Sequence, residues 1–181
     1  MKEETPRKRC RKARVPSEDP RARPVLAIFS VPPSATLFKY FLCRHHFGEY
    51  PGAPFGTTWN DRAECFHAGV HRQLEPGIHG TKEMGAFSIV VSGQYKDDKD
   101  EGDTIFYTGS GGHEPGDRVR DQEWTDFGNE ALLKSSKTSN PVRVIRGYEL
   151  ESEFAPWEGF RYDGLYICKR VILFLIFTYI R

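Results

Sequence analysis

GAFSIVVSGQYKDDKDEGDTIFYTGSGG, residues 85–112, is the stretch whose reading decides the fold. Its opening, AFSIVVSGQY (86–95), is rich in β-branched residues and follows Gly85, which predicts a strand. TIFYT (104–108) predicts a second strand, ended by Gly109, Gly111 and Gly112. Between them stand Asp97, Asp98, Asp100, Glu101 and Asp103, a charge run that suits a solvated hairpin turn. A calcium loop does not fit. With Gly102 as its obligatory glycine, Lys99 takes the third position and Thr108 the place of the bidentate Glu. Tyr95 and Tyr107 flank the turn, and a hairpin sets strand ends side by side. Two phenol rings with a gap between them make a slot for a planar base. A carboxylate at the rim would accept from an exocyclic amine such as cytosine N4 and repel the O4 of thymine. The same residues also suit two core tyrosines beside an ordinary turn, and Tyr-x-x-Asp alone does not choose.

Working outward, DQEWTDFGNEALLKSSK (121–137) carries Trp124, Phe127, Ala131 and Leu132 at helical spacing, interrupted by Gly128, and predicts a helix. PVRVIRGYEL (141–150) and YDGLYICK (162–169) predict two more strands. Upstream, FGEYPGAPFGTTW (47–59) is turn-rich, and DRAECFHAGVHR (61–72) suits a short helix or a strand. Residues 25–42 are mixed and apolar, broken by Pro32-Pro33, and carry no motif. Several short strands with one or two helices define an α+β, β-rich class or a barrel. VILFLIFTYI (171–180) is apolar but far shorter than the roughly 20 residues of a membrane span. It is either a buried strand or sequence foreign to the domain. Trp59, Trp124 and Trp157 are read as core.

The formal net charge of the 181 residues is +1, but it is unevenly placed. Residues 1–24 carry nine Lys/Arg against four Asp/Glu, so the remainder is net acidic. Attraction to phosphate therefore belongs to the tail, where Arg7-Lys8-Arg9 and Arg11-Lys12 suit either a nucleic-acid or nuclear-targeting patch or a solvated end. The globular part must gain specificity from a shaped site. Cys10, Cys43, Cys65 and Cys168 are scattered without a CxxC pair, which argues against a disulfide framework and a zinc site. Cys65, His67 and His71 lack a zinc-ligand spacing.

Four blocks, 47–72, 85–112, NPVRVIRG (140–147) and RYDGLYICK (161–169), resemble in that order the SRA domain, also called the YDG domain after the triplet standing here as Tyr162-Asp163-Gly164. The resemblance implies a PUA-like β-barrel with flanking helices over 47–169. It leaves 1–24 as a disordered basic tail, 25–46 as an N-terminal extension and 170–181 as an atypical apolar segment, with the family's last strands missing. It implies a reader of methylated cytosine that flips the base from duplex DNA. Tyr95 and Tyr107 match the stacking rings and Asp98 the carboxylate on the Watson–Crick edge. Thr108 matches a neighbour that bonds the base, Ser92 and Gly93 match backbone contacts, and Ser110 lies near the methyl group. Arg72, Arg118 and Arg120 are candidate contacts to the DNA backbone. The loop after the glycines, HEPGDRVRDQ, is shorter than in well-studied animal members and lacks their Asn-Lys-Arg triplet; Glu75 takes the usual thumb position, and Gln94 replaces a glycine. No catalytic residue, metal or cofactor is expected. The partners implied are methylated double-stranded DNA and histones or other chromatin proteins in the nucleus, without a membrane. The alternatives are a degenerate barrel with little DNA binding, or the DNA-targeting part of a modification-dependent nuclease or ubiquitin ligase system.

Overall fold

The computed structural model describes residues 25–30, 45–111, 113–114 and 118–173. The expected tail, residues 31–44 of the expected extension and residues 174–181 lie outside them.

Strand β4, Gly85–Val91, is buried along its whole length, which explains its unbroken apolar run. Ile89 and Val91 enter the larger of two hydrophobic clusters, and Val90 enters the smaller. β4 pairs antiparallel with β3, Ile78–Thr81, and parallel with β9, Pro141–Gly147. A parallel pair needs a long crossover, and it contains helix α2, Asn129–Thr138. The expected helix over 121–137 is thus shorter at its start. Gly128 interrupts the pattern because it is the cap: φ is 88°, and a Cβ there would lie 2.7 Å from the Ile78 Cβ. Ala131 and Leu132 point into the core, whereas Phe127 is exposed.

Among the described residues the main sheet has eight strands, seven of them in the order β3, β4, β9, then Phe160–Leu173 (β10), Val25–Ser30 (β1), Thr104–Thr108 (β6) and Lys99–Asp100 (β5). Thr58–Trp59 (β2) pairs with β10 off that path. Read as an extension without an element, residues 25–30 form an internal strand whose Ala27 and Phe29 are fully buried. Ala27 lies opposite Val171 on one side and Tyr107 on the other, so β1 alone joins β10 to β6. Residues 170–173, placed in the atypical segment, continue β10 and pair with β1. The hydrogen-bonded path is not closed: β3 and β5 are its ends among the described residues.

Helix α1, Arg62–His67, settles the ambiguous 61–72 stretch; Asp61 caps it, its Oδ1 accepting from the Glu64 amide at 2.9 Å. No described helix is long and apolar enough to cross a membrane. Of the three tryptophans expected in the core, Trp59 packs against the smaller cluster, but Trp157 is 97% exposed.

Candidate nucleic-acid interface

The hairpin expected between Tyr95 and Tyr107 has a different construction. β4 stops at Val91 and is not a neighbour of β6; the tight hairpin is β5–β6, turning at residues 101–103. Gly93 ends the strand direction at φ 70°, so close to the next turn that a Cβ would sit 2.6 Å from the Glu149 carbonyl oxygen. The loop then folds back over β6, its Asp98 amide bonding the Tyr95 carbonyl at 3.3 Å. Tyr95 is half-buried on this loop, while Tyr107 is 4% exposed on β6, edge-on to Phe29 at 6.1 Å. One ring is a fixed wall set in the core. The other stands on a loop.

Asp98 lies between these elements. Its Oδ1 accepts from the Thr108 amide at 2.7 Å, and among the described residues no hydrogen bond to its Oδ2 is formed. Burial pushes the Asp98 carboxyl up to about 7, against the favourable Thr108 amide. The Thr108 hydroxyl stands close to the same carboxylate and favours its charged form, but at a geometry short of a hydrogen bond, so its buried oxygen is unpartnered. Tyr107 is held well above its ordinary value by burial first, then by the charge of Asp98, with Tyr95 adding to it. Tyr95 is raised by burial and by Asp98 as well. Four of the expected base contacts are thus together: Tyr95, Asp98, Tyr107 and Thr108. Ser92 and Gly93 lie at the root of the same loop.

Ser110 is fixed from another direction. Asn129 at the start of α2 accepts from the Ser110 amide at 2.8 Å and donates to its carbonyl at 2.9 Å. A small ribbon follows, β7, His113–Glu114, against β8, Arg118–Val119. Arg118 belongs to this ribbon, and Arg120 at its foot pairs with Asp126 and with the Asp121 carbonyl. Arg120 would therefore have to exchange partners to meet a phosphate. Arg72 lies elsewhere, before β3, where its amide donates to His79 Nδ1 at 3.3 Å and its Nε is buried without a partner.

The Tyr-Asp-Gly triplet does structural work. Asp163 meets Arg146 at 3.3 Å and Arg161 on its other oxygen. Arg146 also forms a two-point pair with Asp100 at 2.7 and 2.8 Å, and Asp100 accepts from Ser152. Burial by itself would raise Asp100, but the bonds from Arg146 and Ser152 bring it below its ordinary value. This chain of charges ties β9, β10 and the root of the β5–β6 hairpin together. Tyr162 gives its hydroxyl to Glu49 at 2.9 Å, and Gly164 takes φ 94° at a break in the β9–β10 register. Sequence reasoning missed the network, although Arg143 and Arg146 inside an apolar strand were its signal: buried charges demand partners. Arg143 finds its own in the carbonyls of Val70, His46 and Gly48. Ser88 Oγ and His71 Nδ1 stand 2.9 Å apart, a pair suggestive of a nucleophile, but both residues are fully buried.

The arrangement that defines the site is a loop folded back over a β-sheet, with Asp98 held against β6 by the Thr108 amide. Residues 46–173 match the family described as SAD/SRA domain, and the chain belongs to it. It is 40% identical over 136 residues to the "UHRF1-like protein" of Cryptococcus neoformans, covering 68% of this chain and 40% of that one. The modification-dependent TagI restriction endonuclease superposes with a TM-score of 0.64 at 47% identity, over 67% of this chain and 43% of that one. The SUVH5 SRA domain, solved with hemimethylated CG DNA, superposes with a TM-score of 0.58 at 37% identity, over 70% and 80% of the two chains. The chain thus spans less than half the length of the fungal relative.

Proposed function

We propose that this chain reads methylated cytosine in duplex DNA, taking the flipped base between Tyr95 and Tyr107 with Asp98 on its amine. The observation that carries the reading is the Thr108 hydroxyl, buried without a partner beside the half-buried Asp98 carboxylate. Buried polar atoms are rarely left so unless a ligand completes them. Flipping costs a few kcal/mol, which two ring contacts of about 1–3 kcal/mol each offset. A buried methyl adds only about 0.8 kcal/mol, so the preference for methylated over plain cytosine is several-fold. Ser92 and Gly93 contribute backbone contacts, Ser110 lies by the methyl group, and Arg72, Arg118 and Arg120 meet the DNA backbone. The likeness to an SRA domain solved on hemimethylated CG DNA supports the assignment.

The frame is read as a PUA-like barrel. Ile78 near one end of the sheet and Tyr107 near the other share one hydrophobic cluster, as a curled sheet requires. The chain acts as a binding module in the nucleus, with methylated DNA as its partner and chromatin proteins as further partners. The test is a gel-shift series with unmodified, hemimethylated and fully methylated duplexes; equal affinity for all three refutes the reading. A second reading, the targeting part of a modification-dependent nuclease system, is favoured by the likeness to the TagI endonuclease. Its test is cleavage of methylated DNA by this chain in magnesium.

A further inference from the structure

We infer that a second binding site, separate from the base slot, lies between β2 and the 156–158 loop and takes a methylated ammonium, the head group of a methylated lysine side chain. A recess of about 340 Å³ opens there, lined by Thr58, Trp59, Asn60, Pro156, Trp157, Glu158 and Arg161.

The loop is built to present an indole to solvent. Pro156 is buried on one side of Trp157. On the other, Gly159 takes φ 61° so close to β2 that a Cβ would lie 2.1 Å from the Trp59 carbonyl oxygen. Tyr148 locks that glycine by donating its amide to the Gly159 carbonyl at 2.9 Å. Trp157 is thus held outward between two anchors, 97% exposed, on the same recess as Trp59. Indoles are the side chains whose faces attract cations most strongly.

Charge selects the occupant. Among the described residues of the lining the one cationic side chain, Arg161, is spent on Asp163 and on the Phe154 carbonyl. Glu158 is left on the rim, and Glu64 stands behind Asn60, accepting from its side-chain nitrogen at 3.0 Å. With Arg161 neutralised by Asp163, Glu158 is the charge left beside the two indoles of the recess, which disfavours phosphate and favours a cation. A bare ammonium is strongly hydrated and asks for several acceptors. A methylated one is larger and less hydrated, and suits an indole-lined recess.

The test is titration of the full chain with N-acetyl-trimethyllysine amide and its unmethylated counterpart, followed by tryptophan emission and by NMR. Binding of the trimethylated probe, at least fivefold weaker for the unmethylated one and lost by tenfold or more in Trp157→Ala, is the expected result. Glu158→Gln should weaken it severalfold. Trp157 supports nothing beneath it, so the variant keeps its fold, and its gel shift on methylated DNA should be unchanged. Failure of the base-slot reading would therefore leave this result standing. Equal binding of both probes, no effect of Trp157→Ala, or binding of inorganic phosphate or dCMP in place of the probe overturns the inference.

Discussion

Asp98 is costly to the free protein, and the cost can be measured with Asp98→Asn. In the fold the carboxyl is raised from its ordinary 3.8 to about 7. A group raised on folding contributes fully below its unfolded value, and that contribution is lost as pH climbs through the folded value. Ionised Asp98 therefore destabilises the free protein above about pH 7. The gap is worth about 4 kcal/mol by proton linkage, and we reduce it to about 2 kcal/mol because the carboxyl keeps contact with solvent. Asparagine has the same shape and can still accept from the Thr108 amide through Oδ1, but it has no charge to desolvate. Urea denaturation of both proteins at pH 4 and pH 8 isolates the effect. The variant should be more stable by about 2 kcal/mol at pH 8 and equal at pH 4. It should also lose its preference for methylated DNA, because its Nδ2 then replaces Oδ2 and opposes the cytosine amine donor to donor. A variant destabilised at pH 8, or one whose advantage is the same at both pH values, refutes the account of Asp98.

Thr108→Val removes an unpartnered buried hydroxyl, so thermal denaturation should show no loss, or a gain of up to about 1 kcal/mol, while gel shifts show weaker base preference. Asp163→Asn breaks the buried pairing with Arg146 and Arg161 and should cost about 3 kcal/mol in urea, with base preference retained in the folded fraction. Phe29→Ala empties a fully buried site on the strand that joins the two parts of the sheet and should cost about 3–5 kcal/mol by the same assay. Gly93→Ala forces a Cβ against the Glu149 carbonyl at positive φ and should loosen the 92–98 loop, seen as faster amide exchange at Tyr95 and Asp98.

Local chemistry was legible. β4, β6, β9 and the start of β10 could be placed because their apolar and β-branched runs reflect burial that any sheet would impose. The four residues of the slot were readable as types, two rings, an acid and a hydroxyl. Their route to one another was not, because a register between strands 86–95 and 104–108 looks sufficient until Gly93 turns the chain away. β1 was missed because VLAIFS gains its meaning only from partners far along the chain, β6 and β10. Gly128 read as a flaw because its reason, the Ile78 side chain, lies on another strand.

The sequence by itself determined that this chain is β-rich, that it belongs with the SRA domains, and that an acid and two tyrosines share one short stretch. Pattern and residue type are enough for that. Only the tertiary structure decided that the Thr108 hydroxyl is buried without a partner beside Asp98, that Tyr-Asp-Gly holds a buried chain of charges, and that Trp157 faces water. Desolvation, pairing and exposure depend on which distant atoms fill the space around a side chain, and no short stretch of sequence contains those atoms.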